Sequence, residues 1–433
     1  MNPVPAILFS VLLGRPTDHS VALSVLAPSN IEARVEYGAA TTPWQACHAG
    51  IPTEFEAGSL KPNTRYDYRL LSRDASALAT GSFHTARSPG SPFTFALQGD
   101  SHPERLGKMF SAALYAQTLN NAAADAPDFY LMLGDDFSID PLIERQTLNP
   151  TAVDGVYVRQ RRFLSALGRT TPLFLVNGNH EEAARFWLDD SATNAAVLAG
   201  SARTRFFPLP APDAFYRGDA EPVSHLGLPR DYYAWTWGDA LFVVIDFYWH
   251  SPGLVDHAPG VQARREPWKA TLGETQYRWL AQTLTDSKSR WKFVFCHHVL
   301  GTGRGGVESA PFFEWGGQDR RGDVRFSEQR PGWPMPIHEL MAKTGVTVFF
   351  QGHDHLFAHQ VLDGVVYQTC PCPADPTYTA FNRDAYLSGD LLPNSGHLRV
   401  SVAPERVRVD YVRAFLPGEG TNAAVAFSYT VQK

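Results

Sequence analysis

Apolar and polar positions follow two different patterns along the chain and divide it into two parts. Up to about residue 88, apolar residues alternate with polar ones or cluster between turn signals, as in Ser20 to Leu26, Ala33 to Tyr37 and Tyr66 to Leu71. This pattern predicts strands. From Phe93 onward, short apolar runs are followed by stretches with helical spacing. Strands alternating with amphipathic helices predict crossover connections and a largely buried sheet.

The helical pattern occurs three times in the second part of the chain. The spacing of apolar residues predicts helices within Glu104 to Ala124, over Val156 to Leu167 and over Glu274 to Leu284. The stretch from residue 182 to about 230 is polar and rich in aromatic residues, and its weak periodicity predicts a long loop. The glycine-rich segment Gly301 to Gly317 predicts a second loop.

The remaining alternation predicts further strands in the second part. Tyr232 to Asp246 predicts two strands around a Gly-Asp turn, and His397 to Tyr411 and Ala424 to Val431 predict closing strands. A Pro/Gly-rich segment, Ser88 to Pro92, separates the two parts. We therefore expect an all-β domain over residues 1–88 and an α/β domain over residues 93–433.

Five of the apolar runs end in side chains that bind metal ions. Four of the five close with Gly followed at once by Asp, Asn or His. In open α/β sheets, ligands collect beyond the carboxyl ends of the strands, which is where these endings fall. The runs are FTFALQGDSH (Phe93 to His102), DFYLMLGDD (Asp128 to Asp136), PLFLVNGNHE (Pro172 to Glu181), KFVFCHHV (Lys292 to Val299) and TVFFQGHDH (Thr347 to His355).

The donor types at these endings indicate a hydrolytic centre with two metal ions. Carboxylates suit hard cations and imidazoles suit transition metals, and no cluster of thiolates accompanies them. In two-metal centres the ions lie ~3.5–4 Å apart and stabilise the attacking and leaving oxygens. One carboxylate must bridge the pair, and Asp135 in its Gly-Asp turn is well placed for that role.

The order of the motifs resembles the calcineurin-like metallophosphoesterase superfamily. D-x-H, G-D, G-N-H-E, H and G-H-x-H occur in that order between Phe93 and Val366. The segment Leu60 to Tyr68 resembles the tyrosine corner of a fibronectin type III sandwich. Together with Tyr232 to Asp246, this N-terminal part is similar to purple acid phosphatases and their relatives. The resemblance implies an α/β fold, a metallophosphoesterase β-sandwich of two sheets flanked by helices, preceded by a fibronectin III-like domain.

The resemblance also implies the ligands of two divalent metal ions, which would be Mn, Fe or Zn. A hydroxide that bridges the ions would be the nucleophile, and the catalytic residues would be His180, Asp135 and Asp100. His180 would donate a proton to the leaving group, and the two aspartates would tune the bound water. One ion would be held by Asp100, His102, Asp135 and His355, and the other by Asp135, Asn179, His297 and His353.

Two departures from purple acid phosphatases place the chain in a non-purple branch. Those enzymes carry a tyrosine three residues after the bridging aspartate, where this chain has Ser138, and they lack the histidine of D-x-H, which is His102 here. Without the tyrosine, we expect no iron–tyrosinate absorption band in the visible spectrum of the metal-loaded protein.

Some residues near the motifs have two interpretations. The adjacent pair offers His297 or His298 as the ligand; the motif favours His297, which leaves His298 to face substrate or to pack. Arg304 in the glycine-rich loop could bind a phosphate or lie in solvent. Glu181 is expected to orient the G-N-H turn and Asp136 to be a hydrogen-bonded neighbour. The histidines outside the motifs are expected to be ordinary polar residues, namely His225, His250, His257, His338, His359 and His397.

The preferred function is hydrolysis of phosphoesters, by a phosphodiesterase, a phosphomonoesterase or an enzyme with both activities. The alternative is a binding or scaffold protein with the same fold and no turnover. Scaffold relatives usually lose ligands, whereas the full ligand set and His180 are present here, which favours the enzyme. The D-x-H motif resembles diesterases and the N-terminal domain resembles acid phosphatases, so both substrate classes stay open.

Composition restricts the class of binding partner but does not determine the cellular compartment. A net charge of −6 argues against nucleic acid as the main partner, because phosphate backbones require a basic face. The apolar stretch Ala6 to Leu13 lacks a basic flank and is far shorter than the ~20 residues of a membrane span. The four cysteines resemble neither a zinc site nor a disulfide framework. Location is cytoplasmic as the chain stands, or periplasmic or secreted if a leader has been removed, and the oligomeric state is not predicted.

Overall fold

The N-terminal part is built from strands, as its alternating pattern predicts. The computed structural model of the chain describes residues 8–256, 258–262, 266–301 and 303–433, so His257 lies outside the described residues. β1, β2 and β6 form one antiparallel sheet, and β3, β4, β5, β7 and β8 form another. The strands are β1 Ser10–Gly14, β2 Val21–Leu26, β3 Ile31–Tyr37, β4 Ala40–Thr41, β5 Gln45–Cys47, β6 Thr53–Ala57, β7 Arg65–Ser72 and β8 Ala77–His84.

The second part contains two larger sheets that include both parallel and antiparallel pairs. Six strands follow the order β11-β10-β9-β20-β21-β22, and eight follow β12-β13-β14-β15-β16-β18-β17-β19. The strands are β9 Phe93–Gln98, β10 Tyr130–Met132, β11 Leu173–Leu175, β12 Arg217–Gly218, β13 Tyr233–Trp237, β14 Ala240–Val244, β15 Trp291–Phe295, β16 Val348–Gln351, β17 Phe357–Leu362, β18 Val365–Thr369, β19 Asp390–Leu392, β20 Gly396–Ala403, β21 Arg406–Arg413 and β22 Val425–Gln432.

Helices cover the outer face of each of the larger sheets. α1, α3 and α4 pack against the six-stranded sheet, and α5, α6 and α8 pack against the eight-stranded sheet. No helix among the described residues is long and apolar enough to cross a membrane. The helices are α1 Ala112–Ala124, α2 Asp140–Glu144, α3 Pro150–Gly168, α4 Ala195–Phe206, α5 Gly273–Asp286, α6 Phe313–Gly316, α7 Phe326–Gln329 and α8 Ile337–Lys343.

A core rich in aromatic residues joins the two larger sheets. Phe95 and Leu97 of β9 pack there together with Phe242 of β14, Phe293 of β15 and Phe350 of β16, and all five are fully buried. Burial of such a side chain stabilises the folded state by roughly 1.5–3 kcal/mol. The result is a sandwich of two sheets flanked by helices, which confirms the predicted α/β fold.

The N-terminal sheets pack directly on α3. The buried guanidinium of Arg161 donates hydrogen bonds to Ser10 and Ser24, at 3.0 Å and 2.8 Å to their hydroxyls. The linker is also held, because Arg87 forms an ion pair with Asp128 at 2.6 Å. Within the sandwich, the Tyr66 hydroxyl accepts the Lys61 N–H at 2.9 Å, the tie expected of a tyrosine corner. The domain boundary at residue 88 and the fibronectin III-like assignment stay predictions.

Two segments differ from their predicted structure. The helix expected within Glu104 to Ala124 begins only at Ala112, because Ser111 caps it and Gly107 adopts a positive φ of 77°. Leu106, expected on its apolar face, is 71% exposed. The predicted loop after residue 182 contains α4, in which nine of the twelve residues are buried. Its polar face consists only of Ser201, Thr204 and Arg205 near the C-terminal end, which is too short to give a clear helical period in the sequence.

Candidate metal centre

The five predicted strand ends meet at one edge of the two facing sheets. Asp100 and His102 follow β9, Asp135 follows β10 and Asn179 follows β11 in the six-stranded sheet. His297 follows β15, and His353 and His355 follow β16 in the eight-stranded sheet. β9, β10 and β11 are mutually parallel, and so are β15 and β16. Because parallel strands end at the same edge, donors distant in sequence become neighbours.

Glycine at these turns is required by close packing between the strand ends. A Cβ atom on Gly178 would lie 2.4 Å from Oδ1 of Asp135, and one on Gly352 would lie 2.5 Å from Oδ1 of Asp100. Both distances are far below van der Waals contact. The Gly that precedes Asn179 and the Gly that precedes His353 therefore allow the aspartates to approach the neighbouring turns.

Four of the predicted ligands adopt the left-handed backbone conformation. Their φ angles are 47° at His102, 58° at Asp135, 67° at His353 and 54° at His355. Non-glycine residues in this region are strained and persist only where their surroundings hold them. Asp100 provides one such restraint, since its Oδ1 accepts the His353 N–H at 2.7 Å.

The first group of donors consists of Asp100, His102 and His355. Nε2 of His355 lies 3.0 Å from Oδ2 of Asp100 and 3.2 Å from Nε2 of His102. Nε2 of His102 also lies 3.7 Å from Oδ2 of Asp135. Nδ1 of His102 is 2.8 Å from Oε1 of Glu104, so that carboxylate orients the ring with Nε2 toward the group.

The second group of donors surrounds Nε2 of His297. This nitrogen lies 3.2 Å from Oδ2 of Asp135, 3.1 Å from Oδ1 of Asn179 and 3.1 Å from Nδ1 of His353. Nδ1 of His297 is 2.7 Å from the Leu133 carbonyl oxygen and so donates its proton there. The hydrogen bond leaves the Nε2 lone pair directed at the group.

The spacing of these donors fits metal ions. Two ligand atoms at about 2.1 Å from one ion and at right angles to each other lie about 3.0 Å apart. The contacts around His297 and His355 have this separation. Facing ring nitrogens, such as Nε2 of His297 and Nδ1 of His353, share at most one proton, and a cation between them satisfies both lone pairs. The donor set of oxygen and imidazole nitrogen suits Mn, Fe or Zn.

The charged groups in the two donor groups keep one another ionised. Burial raises the pKa of Asp135, but His297 and His180 outweigh this and hold the pKa well below its usual range. The pKa of Asp100 is lowered in the same way against burial, chiefly by His297 and His355. Burial lowers the pKa of His297, whereas Asp135 and Asp100 raise it to about 10. The aspartates are therefore held as carboxylates, the form that binds metal.

Glu181 fixes the Gly-Asp turn of Asp135 and the neighbouring G-N-H turn. Its Oε2 accepts the N–H groups of Asp135 at 2.9 Å and of Gly178 at 2.7 Å. Its Oε1 accepts the N–H groups of Asp136 at 2.7 Å and of Phe137 at 3.0 Å. The expectation that Glu181 orients the G-N-H turn is met, and the same carboxylate also holds the Gly-Asp turn.

His180 lies beside Asp135 and has a partner on each ring nitrogen. Its Nδ1 is hydrogen-bonded to the Asp140 carboxylate, and its Nε2 lies 3.0 Å from the Arg105 guanidinium and 4.0 Å from Oδ2 of Asp135. Burial lowers the pKa of His180, but Asp135 and Asp140 raise it to about 9. The carboxylates thus favour the protonated ring.

Three neighbours of the centre were missed by sequence reasoning. Asp140 and Arg105 contact His180, and Oδ2 of Asp256 lies 3.2 Å from Nε2 of His353. Asp140 follows the G-D motif by five residues and Arg105 follows D-x-H by three, so a search for charged residues just beyond the motifs could have found both. Asp256 is far from every motif, and no signal in the sequence points to it.

Two predicted substrate residues have positions that limit their role. His298 is 2% exposed, its Nδ1 lies 2.8 Å from the Val299 carbonyl oxygen, and its ring packs on that of His353 at 4.4 Å between centroids. This position favours packing over substrate contact. The guanidinium of Arg304 binds the His353 carbonyl oxygen and lies 3.2 Å from Oδ1 of Asp354, and its side chain is 45% exposed.

Other residues near the centre agree with their ordinary interpretations. Asp136 accepts hydrogen bonds from Ser101 at 2.5 Å and from Gln98 at 2.8 Å, as expected of a hydrogen-bonded neighbour. Ser138 is buried. All four cysteines are buried free thiols. Five histidines outside the motifs contact protein groups, namely His225, His250, His338, His359 and His397.

Comparison with solved structures shows which proteins share the fold. The structure is similar to one described as the structure of PhoD, with a TM-score of 0.68 and 14% identity over 100% of this chain and 91% of that chain. It is also similar to purple acid phosphatase PPD1 from yellow lupin (Lupinus luteus) seeds, with a TM-score of 0.59 and 13% identity over 98% of this chain and 74% of that chain. At these identities the likeness shows the fold alone. No curated protein matches the sequence.

The family is shown by a match of sequence rather than of structure. Residues 93–357 match the model of the calcineurin-like phosphoesterase family, which is more than half of the chain and contains all five strand ends. The chain therefore belongs to the calcineurin-like phosphoesterase family and is a metal-dependent phosphoester hydrolase.

Proposed function

We propose that the chain hydrolyses small phosphoesters, both monoesters and diesters, at a centre that holds two divalent metal ions. The supporting observation is the convergence of seven oxygen and nitrogen donors on two adjoining groups, with separations near 3 Å in each. One ion is assigned to Asp100, His102, Asp135 and His355, and the other to Asp135, Asn179, His297 and His353.

The metal ions and the protein have separate tasks in this proposal. When bound, a pair of Mn, Fe or Zn ions supplies an acidified water and neutralises charge on the phosphoryl oxygens. Oδ2 of Asp135 lies 3.2 Å from Nε2 of His297 in the second group and 3.7 Å from Nε2 of His102 in the first, so its carboxylate would be shared by the two ions. His102 and His297 each give their second ring nitrogen to a protein acceptor, which fixes the direction of the ligating nitrogen.

His180 is assigned the transfer of a proton to the leaving oxygen. Asp140 holds its Nδ1, so Nε2 is the nitrogen that faces the centre. Asp135 and Asp140 favour the protonated ring against the effect of burial, which suits a proton donor at neutral pH. A positioned acid of this kind contributes typically 10²–10⁴-fold to the rate.

Arg105 is a better candidate for phosphate contact than Arg304. Its guanidinium lies 3.0 Å from Nε2 of His180, beside the proton donor. That hydrogen bond uses the Nε2 lone pair, so it must break when Nε2 carries a proton. We infer that Arg105 then donates to a phosphoryl oxygen, a geometry for which a guanidinium is suited. Arg304 is already engaged by His353 and Asp354.

Replacement of the shared aspartate or of the amide ligand tests the proposal. After chelation and restoration with Mn²⁺ or Zn²⁺, Asp135→Asn and Asn179→Ala should lose about 10²–10³-fold in kcat toward p-nitrophenyl phosphate and bis(p-nitrophenyl) phosphate, because removal of one charge-stabilising group costs this much in comparable sites. Both variants should keep the far-UV circular dichroism of the wild type and bind less metal.

Matched controls separate loss of the centre from loss of the fold. Asp67→Asn and Asn120→Ala make the same changes at exposed positions and should leave activity and metal content unchanged. His180→Asn should lower kcat by about 10²–10⁴-fold while the metal content is retained. Full activity in Asp135→Asn or in Asn179→Ala would overturn the proposal. A wild type that binds two metal ions and hydrolyses neither ester would instead favour the scaffold alternative.

A further inference from the structure

A second cluster of carboxylates and a histidine lies outside the predicted metal centre. An oxygen of Asp231, an oxygen of Asp246 and a ring nitrogen of His250 lie within 4.8 Å of one another. Asp231 precedes β13, and Asp246 and His250 follow β14, so the cluster joins the end of the 182–230 segment to the edge of the sheet. Asp231 is 0% exposed and Asp246 is 2% exposed.

Each aspartate in this cluster has one oxygen with a partner and one without. Oδ2 of Asp231 is 2.9 Å from Nε2 of His250, and Oδ1 of Asp246 accepts the Trp249 N–H at 2.9 Å. Oδ1 of Asp231 and Oδ2 of Asp246 are buried and have no hydrogen-bond partner among the described residues. Buried carboxylate oxygens without a donor are costly, so this pair requires either protons or a cation.

The cluster also carries an excess of negative charge. The carboxyl group of Asp219 interacts directly with that of Asp231, which makes three acidic groups beside one imidazole. Burial, reinforced by the charge of Asp231, raises the pKa of Asp246 to about 7 and that of Asp219 to about 7. Both shifts show that the local positive charge does not balance three carboxylates.

A cavity borders the cluster at Asp219 and His250, whereas Asp231 and Asp246 lie behind its wall. It has a volume of about 260 Å³ and is lined by Asp219 and His250 together with Asp190, Glu221, Trp249 and Arg185. Three of these six residues are acidic, and Arg185 is the cation among them. A space of this size can hold a cation together with the waters that complete its coordination.

We propose that Asp231 and Asp246, with Asp219 at the cavity wall, bind a hard divalent cation of the Ca²⁺ type. His250 donates its Nε2 proton to Asp231 and so orients that carboxylate, which leaves an oxygen-only ligand set. Ca²⁺ takes six to eight oxygen ligands in flexible geometry, and waters in the cavity supply the remainder. The predicted catalytic centre, rich in imidazole, suits transition metals instead.

The bound cation would stabilise the fold rather than take part in the chemistry. It would link Asp219 and Asp231, at the end of the 182–230 segment, to Asp246 at the end of β14. Asp246 is itself fixed to α5, because its N–H donates to Oε1 of Gln276 at 2.9 Å. One ion therefore ties the irregular segment to the sheet and to a helix.

Ca²⁺ binding to the full chain tests the proposal in variants of each cluster. The protein is treated with chelator, and its Tm and calorimetric binding are measured with CaCl₂. Saturating Ca²⁺ should raise the Tm by about 5 °C in the wild type and equally in Asn179→Ala, which lacks a predicted catalytic ligand. The rise should be absent in Asp231→Asn and in Asp246→Asn. Asp190→Asn removes an exposed charge from the same cavity and should keep the rise.

The results that would overturn the proposal are distinct from one another. A Ca²⁺ response that is absent in the wild type means that protons, shared between Asp219 and Asp231, satisfy the cluster. A response that is lost in Asn179→Ala, or kept in Asp246→Asn, places the ion at the predicted catalytic centre or elsewhere. If neither Asp231→Asn nor Asp246→Asn folds, the number of Ca²⁺ ions bound by the double variant Asn179→Ala/His297→Ala is measured instead. One equivalent supports the cation site, and none overturns it.

Discussion

The predicted catalytic centre and the Asp231–Asp246 cluster are both buried groups of acidic residues and histidine, but they differ in which atoms lack partners. In the catalytic centre, ring nitrogens face one another and face carboxylate oxygens at about 3 Å. In the second cluster, the imidazole is paired with a carboxylate, and one oxygen of each of Asp231 and Asp246 lacks a donor. The first arrangement suits transition metals and the second suits hard cations.

The two clusters also differ in how the backbone holds them. The predicted catalytic donors other than His297 lie on glycine turns that follow strands, and Glu181 fixes two of these turns through four backbone N–H groups. The donors of the second cluster lie on irregular chain around β13 and β14. A rigid frame suits a site that must hold reacting atoms in place, whereas an irregular one suits an ion that contributes stability.

Loss of the hydrogen bonds that Glu181 accepts should have the largest effect on the free energy of unfolding. Glu181→Gln turns one acceptor oxygen into a donor that faces two buried N–H groups, so we expect a loss of about 3–5 kcal/mol in the free energy of unfolding. Metal should be released from the catalytic centre, and Ca²⁺ should still raise the Tm. Urea denaturation and metal analysis measure both effects, with the exposed Glu144→Gln as the control. A loss below about 1 kcal/mol would show that the frame does not depend on this carboxylate.

Loss of Asp256 should have a smaller effect that is confined to the catalytic centre. The carboxylate contacts Nε2 of His353 at 3.2 Å and so directs Nδ1 toward the second group of donors. Asp256→Ala should weaken metal affinity by about 10–100-fold, measured by competition with a chelator. Asp256→Asn retains an acceptor oxygen and should recover part of the loss. Unchanged affinity in Asp256→Ala would remove Asp256 from any positioning role.

The third and smallest effect that we expect is a dependence of stability on pH, caused by the second cluster. The raised pKa values of Asp246 and Asp219, both to about 7, mean that the folded protein binds more protons than the unfolded chain between about pH 4 and pH 7. The pKa of His250 is also raised, since Asp231 and Asp246 outweigh burial. Stability from these groups is therefore present at low pH and falls as the pH rises through 7.

A comparison of variants isolates this effect. In chelator, the Tm of the wild type should fall between pH 5 and pH 8 by a few degrees more than the Tm of Asp246→Asn. Addition of Ca²⁺ at pH 8 should remove the difference or reverse it. Asn179→Ala should keep the slope of the wild type, since it leaves the second cluster intact. An equal change of Tm with pH in the wild type and in Asp246→Asn would show that the pKa of the Asp246 carboxyl is the same in the folded and the unfolded protein.

Much of the fold was predictable because its signals are local. Apolar runs of four to eight residues, turn residues and helical spacing indicated β9, β10, β11, β15, β16 and α3 before any contact was known. Prediction failed where the local signal was weak or misleading. α4 has only a short polar face, formed by Ser201, Thr204 and Arg205. Leu106 continues the apolar spacing of α1 before Ala112, but it is exposed and lies outside the helix.

By itself, the sequence determined which donors end the strands, and with them the family. Each Gly-Asp, Gly-Asn or Gly-His turn is a short-range feature, because the strand, the glycine and the donor are adjacent in the chain. The tertiary structure alone decided that Asp256 supports His353 and that the ends of the β13–β14 hairpin form the second cluster. Asp256 meets His353 across a long stretch of chain, and Asp231 and Asp246 meet beside His250 where the two strands of the hairpin leave the sheet. The Asp256–His353 contact leaves no periodic trace in the sequence, because packing brings together residues whose spacing along the chain is arbitrary.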